Sequence, residues 1–213
     1  MFSALADLVL ARGCVGCAQP GQLICPTCWR QLPAPQLISG APPIAAGSVY
    51  DGFTRSLVLA HKRSLVRSLA LPLADLLDRG IDLLPTHADP MWLVPIPAHR
   101  AALRARGQDT VAAIARHAAR RRGWALAHGA LAFRQESASL TGLNRNQRSA
   151  RMHDAFRAEY GRNRLCIVVD DVITTGATIR SAMDALRRAH WRIHGAAAVA
   201  GVLAQDRTMG GQR

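Results

Sequence analysis

The stretch Cys166-Ile167-Val168-Val169-Asp170-Asp171-Val172-Ile173-Thr174-Thr175-Gly176-Ala177-Thr178 constrains this chain more than any other. An apolar run beginning at Leu165 has the length and continuity of a strand buried on both faces. It ends in two adjacent carboxylates, and threonines and a glycine then open a helix. Strands without polar alternation belong to parallel sheets covered on both sides. Other segments repeat the alternation. Met91 to Ile96, Ala130 to Phe133 and Ala196 to Leu203 read as strands, and Asp109 to Arg121 and Thr178 to His190 read as helices. Two further helices are expected at Arg55 to Ala60 and at Ser64 to Arg79, the second kinked at Pro72. The fold class is therefore α/β with a parallel sheet.

Ligands of open α/β sheets sit where a strand gives way to a helix N-terminus. From Thr174 to Thr178 the chain offers backbone N–H groups, three threonine hydroxyls and the positive end of a helix dipole. Those groups suit a phosphate dianion, which Gly176 lets the backbone approach. Asp170 and Asp171 would repel that phosphate and suit the hydroxyls of an attached sugar. Together they describe a site for a ribose 5-phosphate. The alternative is a capped strand–turn–helix whose acids pair with neighbouring arginines.

Four of the five cysteines stand close together as Cys14-x2-Cys17-x7-Cys25-x2-Cys28. Two Cys-x-x-Cys knuckles aim four thiolates at one point and close a tetrahedral shell, the ligand set of a structural zinc ion. A redox pair or a disulfide hairpin are the other readings. Cys166 starts the buried strand and reads as a small apolar residue.

The 213 residues carry 27 Lys+Arg against 14 Asp+Glu, a formal charge of +13. Such a balance implies an anionic partner. Lys62 is the only lysine, a bias typical of GC-rich coding, so the preference for arginine itself carries little meaning. No run approaches the length of a membrane span. The segment Phe2 to Leu10 carries Asp7 and reads as an amphipathic helix rather than a signal peptide, and a cytoplasmic protein is expected. The expected organisation is a zinc ribbon with its preceding helix at 1–32, a Pro/Gly-rich linker at 33–48, the α/β domain at 49–205 and a frayed tail at 206–213.

The 166–178 run resembles, at every position, the phosphoribosyl-pyrophosphate signature of type I phosphoribosyltransferases. The order of further motifs resembles the ComF family: the cysteine knuckles, Lys62 after an apolar helix, Val94-Pro95-Ile96-Pro97-x-His99, Arg106-Gly107, Arg148 and Ala155-Phe156. That family is amidophosphoribosyltransferase-like and tied to natural competence, the uptake of single-stranded DNA. The resemblance implies phosphoribosyl pyrophosphate (PRPP) as ligand, with Mg2+ accompanying it. Asp170 and Asp171 would take the ribose, and Thr174, Thr175, Gly176, Ala177 and Thr178 the 5-phosphate. Arg100, Arg104, Arg106 and Gly107 would form a pyrophosphate loop. The stretch from Arg134 to His153 would be a long mobile loop. Gln108-Asp109, Leu140 and Arg151 depart from the family pattern.

The resemblance further implies a chain that handles single-stranded DNA, with the DNA-uptake machinery as a candidate partner. An active phosphoribosyltransferase and a non-catalytic PRPP sensor are the alternative functions. Candidate DNA contacts are Arg120, Arg121 and Arg122 at the end of an arginine-rich helix, and Arg145, Arg148 and Arg151 on the loop. Trp124 is the candidate stacking platform beside the first group. His61 and His99 read as polar loop residues.

Overall fold

The computed structural model describes residues 13–63, 67–87, 90–134 and 155–202. The expected helix at 2–10, the tail at 206–213, and Arg145, Arg148 and Arg151 lie outside these residues. A six-stranded sheet forms the centre, in the order β1-β2-β8-β7-β3-β4. Its strands are β1 (Gln36–Ser39), β2 (Ile44–Ala46), β3 (Trp92–Pro95), β4 (Ala125–Leu126), β7 (Leu165–Ile173) and β8 (Arg192–Gly201). Only the β1–β2 pair is antiparallel. A separate antiparallel pair joins β5 (Leu131–Phe133) and β6 (Phe156–Ala158).

The parallel α/β sheet follows from the sequence, with corrections. The 33–48 stretch is not a plain linker: it supplies β1 and β2, and β2 pairs in parallel with the alanine run of β8 from Ile44↔Ala196 to Ala46↔Ala198. Proline and glycine density masked two strands of three and four residues. The run at Ala130 to Phe133 is a strand, but it lies in the small second sheet.

Helices cover both faces. On one side lie α2 (Gly52–Lys62), α3 (Ala70–Ile81) and α5 (Thr110–Arg122), packed on Leu93, Ile167, Val169, Ala197 and Val199. On the other, α6 (Ala177–Arg188) and the β5–β6 pair pack on Val94, Cys166, Val168, Ala196 and Ala198. Neighbouring residues of β7 thus serve opposite cores, which is why the strand reads as an unbroken apolar run. Cys166 is fully buried, and burial pushes its thiol up to about 12, as expected of an inert core residue.

Helix α3 does not run from residue 64, and it has no proline kink. It begins at Ala70 after a 3-10 turn (Arg67–Leu69), so Pro72 falls in the first turn, where N–H groups have no intrahelical acceptor to lose. Its buried face, Leu73, Ala74, Leu76, Leu77, Gly80 and Ile81, recurs at helical spacing. A Cβ on Gly47 would fall 1.6 Å from the Leu76 carbonyl oxygen, so only glycine admits the helix this close to the sheet. The small side chains of β8 serve the same close approach.

The cysteine ribbon is not an appendage. After α1 (Pro26–Arg30), Leu32 joins the main core, and Val15, Leu23, Ile24 and Trp29 pack against it. Phe53, at the start of α2, touches the buried Cys14, Cys25 and Cys28. A Cβ on Gly16 would meet both the Cys28 sulfur and the Phe53 ring at 2.8 Å.

Candidate functional site

The C-terminal end of β7 is where the chemistry collects. Asp170 and Asp171 lie inside the strand, which continues to Ile173 along β8. Successive side chains of a strand point to opposite faces, so the two carboxylates diverge. Asp171 turns toward the α2 side, where the Nζ of Lys62 sits 2.9 Å from its Oδ1. Asp170 Oδ1 accepts the Asp171 backbone N–H at 2.8 Å. Burial, then the charges of Asp171 and Asp109, push the Asp170 carboxyl up to about 8, although that N–H bond and Lys62 oppose the rise. The shift favours the neutral carboxyl of Asp170, which can donate as well as accept a hydrogen bond.

Beyond Ile173 the chain turns through Thr174 and Thr175 to Gly176, whose φ of 72° lies in the left-handed region. Helix α6 starts at Ala177, and the Ala177 N–H donates to Thr175 Oγ1 at 3.3 Å. Arg180 folds back over this turn, its Nη2 donating to the Thr175 carbonyl at 2.7 Å. A guanidinium and the first N–H groups of a twelve-residue helix thus share one turn, an arrangement complementary to a phosphate.

The arginine segment lies alongside. Register Pro95↔Val169, and the Ile96 N–H bonded to the Val169 carbonyl at 2.9 Å, set the end of β3 beside Asp170. The following segment is not a loop but the short helix α4 (Arg100–Arg106), closed by Gly107 at φ 68°. Within it the Leu103 and Gly107 N–H groups bond to His99 and Leu103 carbonyls. Arg100 and Arg104 are exposed, and half-buried Arg106 donates to Thr110 Oγ1 at 3.4 Å. Asp109 ties the segment down: Oδ1 accepts the Ala112 N–H at 3.0 Å as the cap of α5, and Oδ2 accepts the Ala98 N–H at 3.3 Å.

Three participants were not assigned from sequence. Lys62 as the partner of Asp171 and Asp109 beside Asp170 arise from packing of distant segments, whereas Arg180 reaches back only five residues to Thr175. The available signals were that Lys62 is the sole lysine and that it stands in the ordered motifs of the family resemblance. His61 precedes it inside α2 and is buried, so it is a helix residue rather than a loop one. His99 caps α4 and packs edge-on against Phe133, their centroids 5.5 Å apart.

The expected DNA contacts on α5 have other partners. Arg121 pairs with Asp75 and Asp78, and Arg122 pairs with Asp78 at 2.6 Å and Asp82 at 2.7 Å. Asp75 and Asp78 stand on one face of α3 and Asp82 caps its C-terminus, so the arginines clamp one helix to the other. Trp124 lies beneath the Arg122 guanidinium, 5.1 Å from its ring centroid, and packs on the core, so it is no open stacking platform. Arg120 is exposed.

The four N-terminal sulfurs lie within 4.8 Å of one another. Zn–S bonds of about 2.3 Å in a tetrahedron require sulfurs just under 4 Å apart, and Cys17 and Cys25 are at 3.7 Å. The Cys25 and Gly16 N–H groups point at Cys14 Sγ at 3.3 and 3.4 Å. Against the effect of burial, such bonds hold the Cys14 thiol down to about 6, while burial and the other sulfurs push Cys28 up to about 12. Four thiolates coexist here only around a cation, and Zn2+ fits the donor set.

Among the described residues, no helix is long and apolar enough to cross a membrane. No family model and no curated protein matches the sequence. Among solved structures, the chain is similar to a UMP synthase of Leishmania donovani at 14% identity and a TM-score of 0.38, over 70% of this chain. The chain spans 29% of that protein's length.

Proposed function

We propose that this chain is a ComF-like protein with a type I phosphoribosyltransferase-like domain, which binds PRPP and handles single-stranded DNA during natural transformation. The observation that carries the ligand assignment is the strand end itself. Two adjacent aspartates, one accepting its neighbour's backbone N–H and the other held by Lys62, stand one turn before a glycine-hinged helix start crossed by Arg180. In this reading Asp170 and Asp171 take the ribose hydroxyls, and residues Thr174 to Thr178 with Arg180 take the 5-phosphate. Arg100, Arg104 and Arg106 face the pyrophosphate, where guanidinium forks match its acceptors. Mg2+ would arrive bound to the pyrophosphate and offset its charge. Zinc in the cysteine ribbon is structural.

Calorimetric titration with PRPP and Mg2+ tests the ligand. Asp171→Ala should weaken binding by about tenfold to a hundredfold, through loss of charge-assisted hydrogen bonds. No binding by the wild-type protein overturns the assignment. The DNA half rests on the +13 charge and the ordered motifs. It predicts single-strand binding that weakens with salt, with a log–log slope of about −0.7 per contacted phosphate. Indifference to single strands at low salt would leave an enzyme or a PRPP sensor. Isotope transfer from PRPP to bases and amines separates those two.

A further inference from the structure

Helix α2 joins the two chemical centres of this chain. Its first turn meets the cysteine ribbon, and its last residue, Lys62, meets Asp171 at the strand end. From Phe53 to Lys62 the helix rises about 14 Å.

Two contacts attach its first turn to the ribbon. Phe53 packs on Cys14, Cys25 and Cys28, and Gly16 is wedged between the Phe53 ring and the Cys28 sulfur. The second contact is polar. Pro33, which follows the ribbon helix α1, offers its carbonyl to Ser48 Oγ at 3.3 Å and to Arg79 Nη2 at 3.1 Å. Ser48 Oγ in turn lies 3.1 Å from Thr54 Oγ1, and both residues are fully buried. A hydroxyl has one proton to give, and Ser48 gives its own to Pro33, so Thr54 donates to Ser48. The hydrogen bonds thus run in one direction, from α2 to the end of the ribbon. Asp51, the N-cap residue of α2, makes no side-chain cap bond, so these tertiary contacts hold the first turn where a local cap does not. Leu57 and Val58 bury the middle of the helix in the main core, but apolar burial is non-directional and does not set the helix along its axis. Lys62 stands at the last position, where helices fray. The placing of its backbone therefore depends on how firmly the first turn is anchored.

We propose that the metal-loaded ribbon positions Lys62 at the strand end. The four sulfurs, drawn together on zinc, seat Phe53 and fix the Pro33 carbonyl. These set α2, and α2 presents the amine to Asp171. Phe53 and Thr54 are positioning residues for a site about 14 Å of helix away. The consequence for ligand binding rests on the PRPP reading of the strand end, whereas the coupling itself does not. Coupling between two sites is reciprocal, so breaking the Lys62–Asp171 pair must loosen the metal by the same factor that losing the metal loosens the pair.

The test uses the full chain and two readouts. Competition with a chromophoric chelator gives the zinc affinity. Carbon-13 label at the lysine Cε gives one NMR signal, because Lys62 is the sole lysine. In zinc-loaded protein, Asp171→Asn should shift that signal and so mark the unpaired position. Phe53→Ala and Thr54→Val, both zinc-loaded, should move it toward the same position, and chelation of the wild type should move it further. Asp171→Asn should also weaken zinc binding by about fivefold or more. Arg122→Ala, which loosens α3 and α5 away from this route, should leave both readouts unchanged. If chelation unfolds the chain, the two zinc-loaded α2 variants decide. A lysine signal indifferent to both variants overturns the proposal, as does a zinc affinity no lower in Asp171→Asn than in Arg122→Ala. A chain that binds no zinc overturns it as well. Failure to bind PRPP would sink the ligand assignment and leave each of these outcomes standing.

Discussion

Replacing Asp170 by Asn should make the protein more stable, by an amount that depends on pH in a definite direction. The Asp170 carboxyl is ordinary in the unfolded chain, near 3.8, and is pushed up to about 8 in the fold. Between those values the native state holds a proton that the unfolded state has released, so folding takes up a proton and stability falls as pH rises through the window. At pH 7 the gap is about 3 pH units at about 1.4 kcal/mol each, an upper bound near 4 kcal/mol, and partial solvation of the side chain brings this to about 2–4 kcal/mol. Asparagine carries no charge at any pH, and its Oδ1 can still accept the Asp171 N–H. Urea unfolding of both proteins from pH 4 to 8 is the assay. The Asn variant should match wild type near pH 4 and exceed it progressively up to pH 8. A constant difference, or a variant weaker throughout, would refute the claim that Asp170 is held protonated. The same variant should lose affinity for PRPP.

The other expectations concern separate parts of the fold. Metal analysis should find one zinc per chain, and chelation should lower the whole melting transition, because Phe53 and Leu32 join the ribbon to the main core. Lys62→Met leaves Asp171 without its cation and should cost about 1–3 kcal/mol, measured by thermal melting at neutral pH. Gly176→Ala meets both a positive φ and the Arg180 guanidinium at 2.8 Å, and should destabilise by about 1–2 kcal/mol and weaken PRPP binding by titration. Arg122→Ala should destabilise measurably through loss of its bonds to Asp78 and Asp82, whereas Arg120→Ala should not.

Local pattern carried much of this architecture, and long-range packing supplied the rest. The continuous apolar run of β7 could only be a strand buried on both faces, and Gly-Ala-Thr located the helix start, although the strand runs past the two aspartates to Ile173 because β8 goes on pairing with it. The cysteine spacing likewise located the four-sulfur cluster, because knuckle geometry is local. Strands β1 and β2 were missed since three or four residues among prolines carry no periodicity. Helix α4 was read as a loop because its arginines leave no buried face. The partners Lys62 for Asp171 and Asp78 for Arg122 lie 109 and 44 residues apart, as the pairing distances record. No spacing rule reaches that far. The Arg121 and Arg122 run reads alike whether it meets DNA or α3, since both present anions.

The ion pair between Lys62 and Asp171 joins the only lysine of the chain to the acid at the strand end. An amine-reactive reagent therefore has one ε-amino target in the whole protein, and that target sits at the edge of the candidate site. Acylation at Lys62 becomes a footprint of occupancy. A ligand that reorganises the aspartates should change the labelling rate at this single position, without any mutation and before its identity is known.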